Sequence, residues 1–231
     1  MTSPNDNLVK TYKSRQNQVM LVRDSQSGKL SIVKIFKDEA SWRTEQQYAA
    51  YLRQQNLSVP EITRIEPLTL YMRLIQGKTA CELIEACEAA GQAVPEDKLQ
   101  AIVRLLRDIY TTQLFRDNQL ILGDNNWRNF VFSDLDNHVY RIDFESVRTG
   151  DITDEAGSLI AFLLTYEPVL TNIKCQAARL LFSLLCQQLC LKKSILAASV
   201  SNQLKVIDER RGTQHHHHAV KQLDLTAYGC R

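Results

Sequence analysis

Short apolar runs separated by polar turns make the first third of the chain typical of β-strands. Residues 19–22 and 30–36 are apolar, and the glycine-containing stretch 24–29 between them predicts a hairpin. Residues 69–74 predict a further strand, and Gly77 marks a break after it. We therefore expect this region to be rich in β-strands.

One helix lies among these strands. Asp38 is placed to cap it, and large apolar side chains then follow at helical spacing: Trp42, Tyr48, Tyr51 and Leu52. Glu45 lies within the same helix. Residues 56–60 end it, because the residue before a proline avoids the helical conformation.

From Cys81 onward the pattern is mainly helical. Pro95 suits the first position of a helix, and the two acidic residues after it suit the positive end of the helix dipole. Three apolar runs predict a small β island at residues 120–122, 130–132 and 139–142. Further helices are expected at residues 153–166, 172–190 and 194–208.

This order of elements predicts an α+β protein with two unequal lobes. Residues 1–76 would form a small N-terminal lobe, rich in β-strands and with one helix. Residues 77–231 would form a larger, mainly helical lobe that carries the β island.

The composition fits a globular chain with a sizeable core, since 44% of its 231 residues are hydrophobic and 23% are charged. A net charge of +2 is close to neutral and does not indicate a protein that binds nucleic acid through a strongly basic face. Residues 1–7 are polar, and the apolar stretch 178–191 is too short to span a bilayer. We therefore expect a cytoplasmic protein without a signal peptide or membrane span.

Two sequence features invite a metal or redox interpretation, and both have a simpler one. The six cysteines form no Cys-x-x-Cys pair, and Cys186 and Cys190 lie in an apolar helical pattern, which predicts buried thiols. The four consecutive histidines at 215–218 cannot all face one ion from a helix, which favours a solvated surface run.

Candidate catalytic side chains collect in the β island. Asp124 and Asn129 lie in a loop between two apolar strands, and Asp143 follows the next strand. Loops held at strand ends commonly carry reactive groups. Two carboxylates and an amide oxygen form a hard donor set that suits Mg²⁺ rather than zinc. Taken singly, Asp124 and Asn129 also fit as ordinary turn residues.

The sequence Asp-x-x-x-x-Asn, followed by an apolar strand and Ile-Asp-Phe, resembles the catalytic and metal loops of the protein-kinase-like superfamily. Leu122-Gly123-Asp124 resembles its compact atypical members, such as lipopolysaccharide kinases and aminoglycoside phosphotransferases. Upstream, Lys34 in Ile-Val-Lys-Ile resembles the lysine that contacts the ATP phosphates. Glu45 resembles the partner of that lysine, with Glu39 as a second candidate.

The resemblance implies a bilobal kinase-like fold that binds ATP and Mg²⁺ and transfers phosphate to a hydroxyl acceptor. It assigns Asp124 and Arg128 to catalysis, Lys34, Glu45, Met72 and Leu74 to ATP binding, and Asn129 and Asp143 to the metal. Glu145 is a further candidate for the metal. Trp127 is either a platform for the acceptor or a packing residue. The segment 150–154 resembles the one whose aspartate braces the catalytic loop, although Asp151 and Asp154 also fit as helix caps.

Four features depart from the family pattern. The turn at residues 14–17 contains no glycine, and Leu122 stands where the family has histidine. Glu145 replaces the glycine of Asp-Phe-Gly, where it would be either a further metal ligand or a solvent-facing residue. The stretch from Asp143 to Asp154 is too short for a peptide-docking segment, which favours a small or special acceptor.

The sequence thus predicts an ATP-dependent phosphotransferase that moves the γ-phosphate of Mg-ATP to a hydroxyl group. The alternative is a pseudokinase, a nucleotide-binding or partner-binding module without turnover. A sugar, a lipid core, an antibiotic, a small metabolite and a protein serine all stay open as acceptors.

Overall fold

The computed structural model describes residues 6–14 and 16–213, so the histidine run and Cys230 lie outside the described residues. Five strands and one helix come first: β1 (Asp6–Tyr12), β2 (Gln18–Asp24), β3 (Leu30–Ile35), α1 (Glu39–Gln54), β4 (Ile62–Glu66) and β5 (Thr69–Arg73). There follow β6 (Gly77–Thr79), α2 (Ala80–Ala90), α3 (Glu96–Thr111), α4 (Gln113–Asp117), β7 (Leu120–Ile121), a 3₁₀ helix (Trp127–Asn129), β8 (Phe130–Ser133), β9 (Val139–Arg141), β10 (Arg148–Thr149), α5 (Ile152–Thr165), α6 (Asn172–Gln188) and α7 (Lys193–Arg211).

The chain is α+β, as its sequence predicts. β1 to β5 form one antiparallel sheet in the order β1-β2-β3-β5-β4, and the rest of the described chain is mostly helical. We refer to residues 6–73 as the sheet region and to residues 77–213 as the helical region. The expected hairpin is β2–β3, and Asp38 caps α1 by accepting a hydrogen bond from the Ser41 backbone N–H at 2.8 Å.

Two strands of this sheet, β1 and β4, were not predicted from the sequence. Both are edge strands, and their residues are mostly exposed or half-buried. An edge strand buries little, so its sequence needs no continuous apolar run. The hydrophobic pattern alone therefore could not identify them.

The predicted β island is divided between two small sheets. β8 pairs with both β6 and β9, whereas β7 pairs with β10. Gly77 begins β6 and has a φ of 155°, and a Cβ atom at this position would lie only 1.8 Å from the Phe132 carbonyl oxygen. Glycine is therefore required for β6 to approach β8.

Two local predictions in the helical region were wrong. Pro95 is the residue before α3 and not its first helical residue, since its ψ of 132° is extended. α6 ends at Gln188, so Cys190 lies beyond the helix and is exposed, while Cys186 is buried as predicted. None of the helices among the described residues combines the length and the apolarity needed to cross a membrane.

α1 packs against both regions of the molecule. Near its start, Trp42 contacts a buried cluster on the sheet that includes Leu70. In its second half, Ala49 and Leu52 belong to the large core of the helical region, and the Tyr48 ring meets the Phe115 ring edge-on at 5.8 Å between centroids. The helix that carries Glu45 is thus fixed between the sheet and the helical region.

Candidate functional site

Lys34 is surrounded by three carboxylates. It lies in β3 between Val19 of β2 and Leu70 of β5. Its ammonium nitrogen Nζ lies 3.1 Å from a Glu45 oxygen. The corresponding distances to oxygens of Asp143 and Glu145 are 2.8 Å and 2.9 Å. The sheet region and the helical region therefore meet at this ammonium group, and the three carboxylates outnumber its single positive charge.

Burial and charge act in opposite directions on these groups. Burial by itself would lower the pKa of Lys34, but the three surrounding carboxylates outweigh it and hold that pKa above its ordinary value. Burial raises the pKa of Glu45, although Lys34 opposes this effect. For Asp143 burial acts upward too, but Lys34 prevails and holds the pKa below its usual range.

Glu45 is the partner of Lys34, as predicted, and its carboxylate has a second contact. It is 1% exposed, and its Oε2 also accepts a hydrogen bond of 2.6 Å from the Phe144 backbone N–H. The alternative candidate, Glu39, instead pairs with Arg43 on the surface of α1. Glu45 therefore connects the lysine to the segment that follows β9.

Asp124 and Asn129 are brought together at the other end of the site. The Asn129 side-chain amide donates to both the carbonyl oxygen and the carboxylate of Asp124, each at 3.2 Å. Asn126 caps the 3₁₀ helix, and its side chain accepts a hydrogen bond of 3.0 Å from the Arg128 backbone N–H. The local turn chemistry of Asx residues thus shapes this loop, which we term the Asp124 loop (residues 123–129).

Arg141 joins the Asp124 loop to the segment that carries Asp143, and the sequence analysis missed it. Its fully buried guanidinium donates to the Asp124 carbonyl at 2.5 Å, to the Asn129 carbonyl at 3.1 Å and to the carbonyl of Ile142. Asp143 lies two residues after Arg141 and has the left-handed backbone conformation, with a φ of 71°. An arginine inside an apolar strand immediately before Ile-Asp is the signal that could have identified it.

The residue that braces the Asp124 loop is Glu155, and neither Asp151 nor Asp154 does so. The buried Glu155 carboxylate accepts hydrogen bonds from the backbone N–H groups of Leu122 at 2.7 Å and Gly123 at 2.6 Å. Asp151 caps α5, and Asp154 accepts a hydrogen bond from a side chain of α7. Burial raises the pKa of Glu155, although its hydrogen bonds act in the opposite direction.

Trp127 and Arg128 differ in environment. Trp127 is buried, and its indole N–H donates to the Leu159 carbonyl at 2.9 Å, so it is a packing residue and not an acceptor platform. Arg128 is exposed, and its guanidinium lies 6.0 Å from the centre of the Tyr166 ring. The Tyr166 hydroxyl donates to the Asn126 side chain at 2.6 Å, which fixes the ring beside the Asp124 loop.

Met72 and Leu74, the two apolar residues assigned to ATP, lie at the end of β5. Met72 is buried in a cluster with Phe36 and Leu70. It shares a sheet face with Lys34, because Lys34 pairs with Leu70 and Met72 is two residues further along β5. Leu74 is half-buried and follows the last residue of the strand.

Glu145 points into the site, so the solvent-facing alternative was wrong. Its side chain is 12% exposed, and its Oε2 contacts both the Lys34 ammonium and the side-chain amide of Asn17. Oxygen atoms of Glu45, Asp143 and Glu145 all lie within 4.8 Å of one another. Three carboxylates at this spacing are a donor set that fits a hard divalent cation such as Mg²⁺.

Comparisons with known proteins do not assign a function to this chain, so a functional assignment has to rest on the geometry of the site. A scan against protein-family models and a search of curated proteins gave no match for this chain.

Proposed function

We propose that this chain is an ATP-dependent phosphotransferase with a kinase-like bilobal arrangement, in which residues 1–76 and 77–231 form the two lobes. One observation carries the proposal. The Lys34 ammonium of the sheet contacts Glu45 of α1 and Asp143 of the helical region at 3.1 Å and 2.8 Å. Through Arg141, that aspartate is connected to the loop that presents Asp124 and Asn129.

Mg-ATP suits the charges of this site. The carboxylates exceed the lysine in charge, so a divalent cation would balance them. Asp143 and Glu145 of this cluster are the proposed ligands, together with Asn129 from the Asp124 loop. Mg²⁺ supplies charge neutralisation and alignment of the phosphates when it is bound. Lys34, held by Glu45, would then bind the phosphates, with Met72 and Leu74 beside the adenine.

Asp124 is the proposed base. The acceptor oxygen attacks the γ-phosphorus, the bond to the β–γ bridging oxygen breaks, ADP leaves, and the hydroxyl proton passes to the Asp124 carboxylate. Asn129 orients that carboxylate through its hydrogen bond of 3.2 Å. The exposed guanidinium of Arg128 would place positive charge at the acceptor side.

The deciding experiment separates nucleotide binding from turnover. Mg-ATP should raise the melting temperature of the wild type, and Lys34→Met should abolish that shift. Asp124→Asn should retain the shift but lower phosphate transfer or ATP hydrolysis by about 100-fold or more. Asp134→Asn, at an exposed position after β8, is the matched control and should behave as wild type. Absence of any Mg-ATP stabilisation, or full turnover in Asp124→Asn, would refute the proposal.

A second candidate function is a pseudokinase that binds a nucleotide or a partner without turnover. It is favoured by Glu145, which contacts Lys34 at 2.9 Å and lies where the family has glycine. Stabilisation by Mg-ATP without turnover on sugars, small metabolites, antibiotics, lipid cores and protein serines would support it. We also propose a cytoplasmic location, since buried thiols such as Cys81 and Cys87 fit a reducing compartment.

A further inference from the structure

The turn between β1 and β2, which contains no glycine, brings a side-chain amide to the lysine cluster. Asn17 is 7% exposed although it lies in a turn. Its Oδ1 accepts a hydrogen bond of 3.2 Å from the Lys37 backbone N–H, and its own N–H bonds to the Ser14 hydroxyl at 3.3 Å. The bond to Oδ1 fixes the orientation of the amide, so that its N–H₂ group faces Glu145.

One oxygen of Glu145 is shared between two donors. Its Oε2 accepts a hydrogen bond from the Asn17 amide and lies 2.9 Å from the Lys34 ammonium. An ammonium group has three N–H donors. Glu45, Asp143 and Glu145 each bring an oxygen within 3.1 Å of it. A phosphate that approaches this ammonium would therefore compete with these three carboxylates for it.

Glu145 is the carboxylate whose departure would free both the Lys34 ammonium and the Asn17 amide for a phosphate. Glu45 is almost fully buried and is held by the backbone of Phe144 as well as by Lys34. The Glu145 carboxylate contacts the side chains of Lys34 and Asn17. A phosphate oxygen carries negative charge and accepts the same hydrogen bonds, so it could take over both contacts.

We propose that Asn17 and Lys34 form a phosphate-binding pair, and that Glu145 occupies the phosphate position until a nucleotide displaces it. The inference rests on the proposed function and identifies the group that replaces the missing glycine-rich turn. The Asn17 amide supplies the donor for which a glycine-rich turn would use backbone N–H groups. Glu145 competes with nucleotide phosphates of like charge.

The test is a calorimetric titration of the full chain with ATP, ADP and AMP, each with EDTA and with Mg²⁺. Asn17→Ala should weaken ATP binding about tenfold, the range expected for a lost hydrogen bond to a charged group. AMP, which lacks the outer phosphates, should bind almost unchanged. Glu145→Gln keeps the shape and removes the charge, so metal-free ATP should bind about tenfold more tightly. Gln18→Ala, which removes an exposed amide one residue further on, is the control and should change nothing.

Three results would overturn the inference while the wild type still binds ATP. Equal ATP affinity in Asn17→Ala and the wild type would remove Asn17 from the phosphate site. Tighter ATP binding by Asn17→Ala would reduce its role to holding Glu145. Unchanged or weaker metal-free ATP binding by Glu145→Gln would show that Glu145 is no competitor. If neither the wild type nor any variant bound ATP, ADP or AMP, the proposed function itself would fail.

Discussion

Replacement of Glu155 by glutamine tests whether this carboxylate positions the Asp124 loop. Three donors converge on it: the N–H groups of Leu122 and Gly123, at 2.7 Å and 2.6 Å, and the Tyr110 hydroxyl, at 2.5 Å. A carboxylate offers two acceptor oxygens, whereas glutamine offers one oxygen and an N–H₂ group. In either orientation, Glu155→Gln makes the N–H₂ group face a buried donor.

The loss of stability in Glu155→Gln follows from this one buried donor that faces another donor. A buried donor left without an acceptor costs about 1–3 kcal/mol, so we expect Glu155→Gln to lower the free energy of unfolding by about 2 kcal/mol. Tyr110→Phe removes one donor and leaves the two backbone donors satisfied, so it should cost about 1 kcal/mol. The two substitutions share one carboxylate, so the double mutant should lose less than their sum by about 1 kcal/mol.

Urea unfolding followed by tryptophan fluorescence measures this change directly. Trp127 is buried within the loop and reports its environment. Glu61→Gln, at an exposed position before β4, is the control and should stay within about 0.5 kcal/mol of the wild type. If Glu155→Gln also stayed within that range and showed no coupling to Tyr110→Phe, the bracing role would be wrong.

Three other predictions concern stability. Lys34 lowers the pKa of Asp143, so the ion pair stabilises the fold fully above the ordinary aspartate pKa of about 3.9. This stabilisation is lost as the pH falls through the lowered pKa of Asp143. Unfolding measured across acid pH should show this loss of stability in the wild type and not in Asp143→Asn. Arg141→Lys should lower the free energy of unfolding by about 2 kcal/mol in urea, because an ammonium cannot reach all three carbonyls. Gly157→Ala should lower the melting temperature by the equivalent of about 1–3 kcal/mol, since its Cβ would lie 2.3 Å from the Ser199 hydroxyl oxygen.

Each of these predictions has an outcome that contradicts it. The acid step of Asp143 would be ruled out if Asp143→Asn had the same pH dependence as the wild type. Full stability of Arg141→Lys would mean that the guanidinium contacts are unimportant to the fold. A Gly157→Ala variant as stable as the wild type would mean that α5 and α7 can separate at little cost.

The parts of the site that follow from sequence spacing are those held by local turns and strands. Asp124 and Asn129 are five residues apart in one loop, and Lys34 precedes Glu45 by eleven residues across one strand and one helix. Such short spacings can be recognised in the amino-acid sequence itself. The sequence also indicated the β2–β3 hairpin, because its strands are apolar and its turn is polar.

The residues that were missed act through distant partners. Asn17 and Glu145 are 128 positions apart, and Tyr110 and Glu155 are 45 positions apart, so no local pattern connects them. Asp151 resembled a brace, but its side chain is used at the start of its own helix. Glu155, one turn further along α5, is the residue whose carboxylate reaches the backbone of Leu122 and Gly123.

The position of α1 between the two regions has a consequence for hydrogen exchange. Its second half packs into the large core through Ala49 and Leu52, so amides there should exchange only when the whole molecule unfolds. The edge strands β1 and β4 should exchange through local opening, without loss of that core. Deuterium labelling should therefore show the strongest protection of backbone amides in the central strand β3. Protection should decrease toward the edge strands β1 and β4.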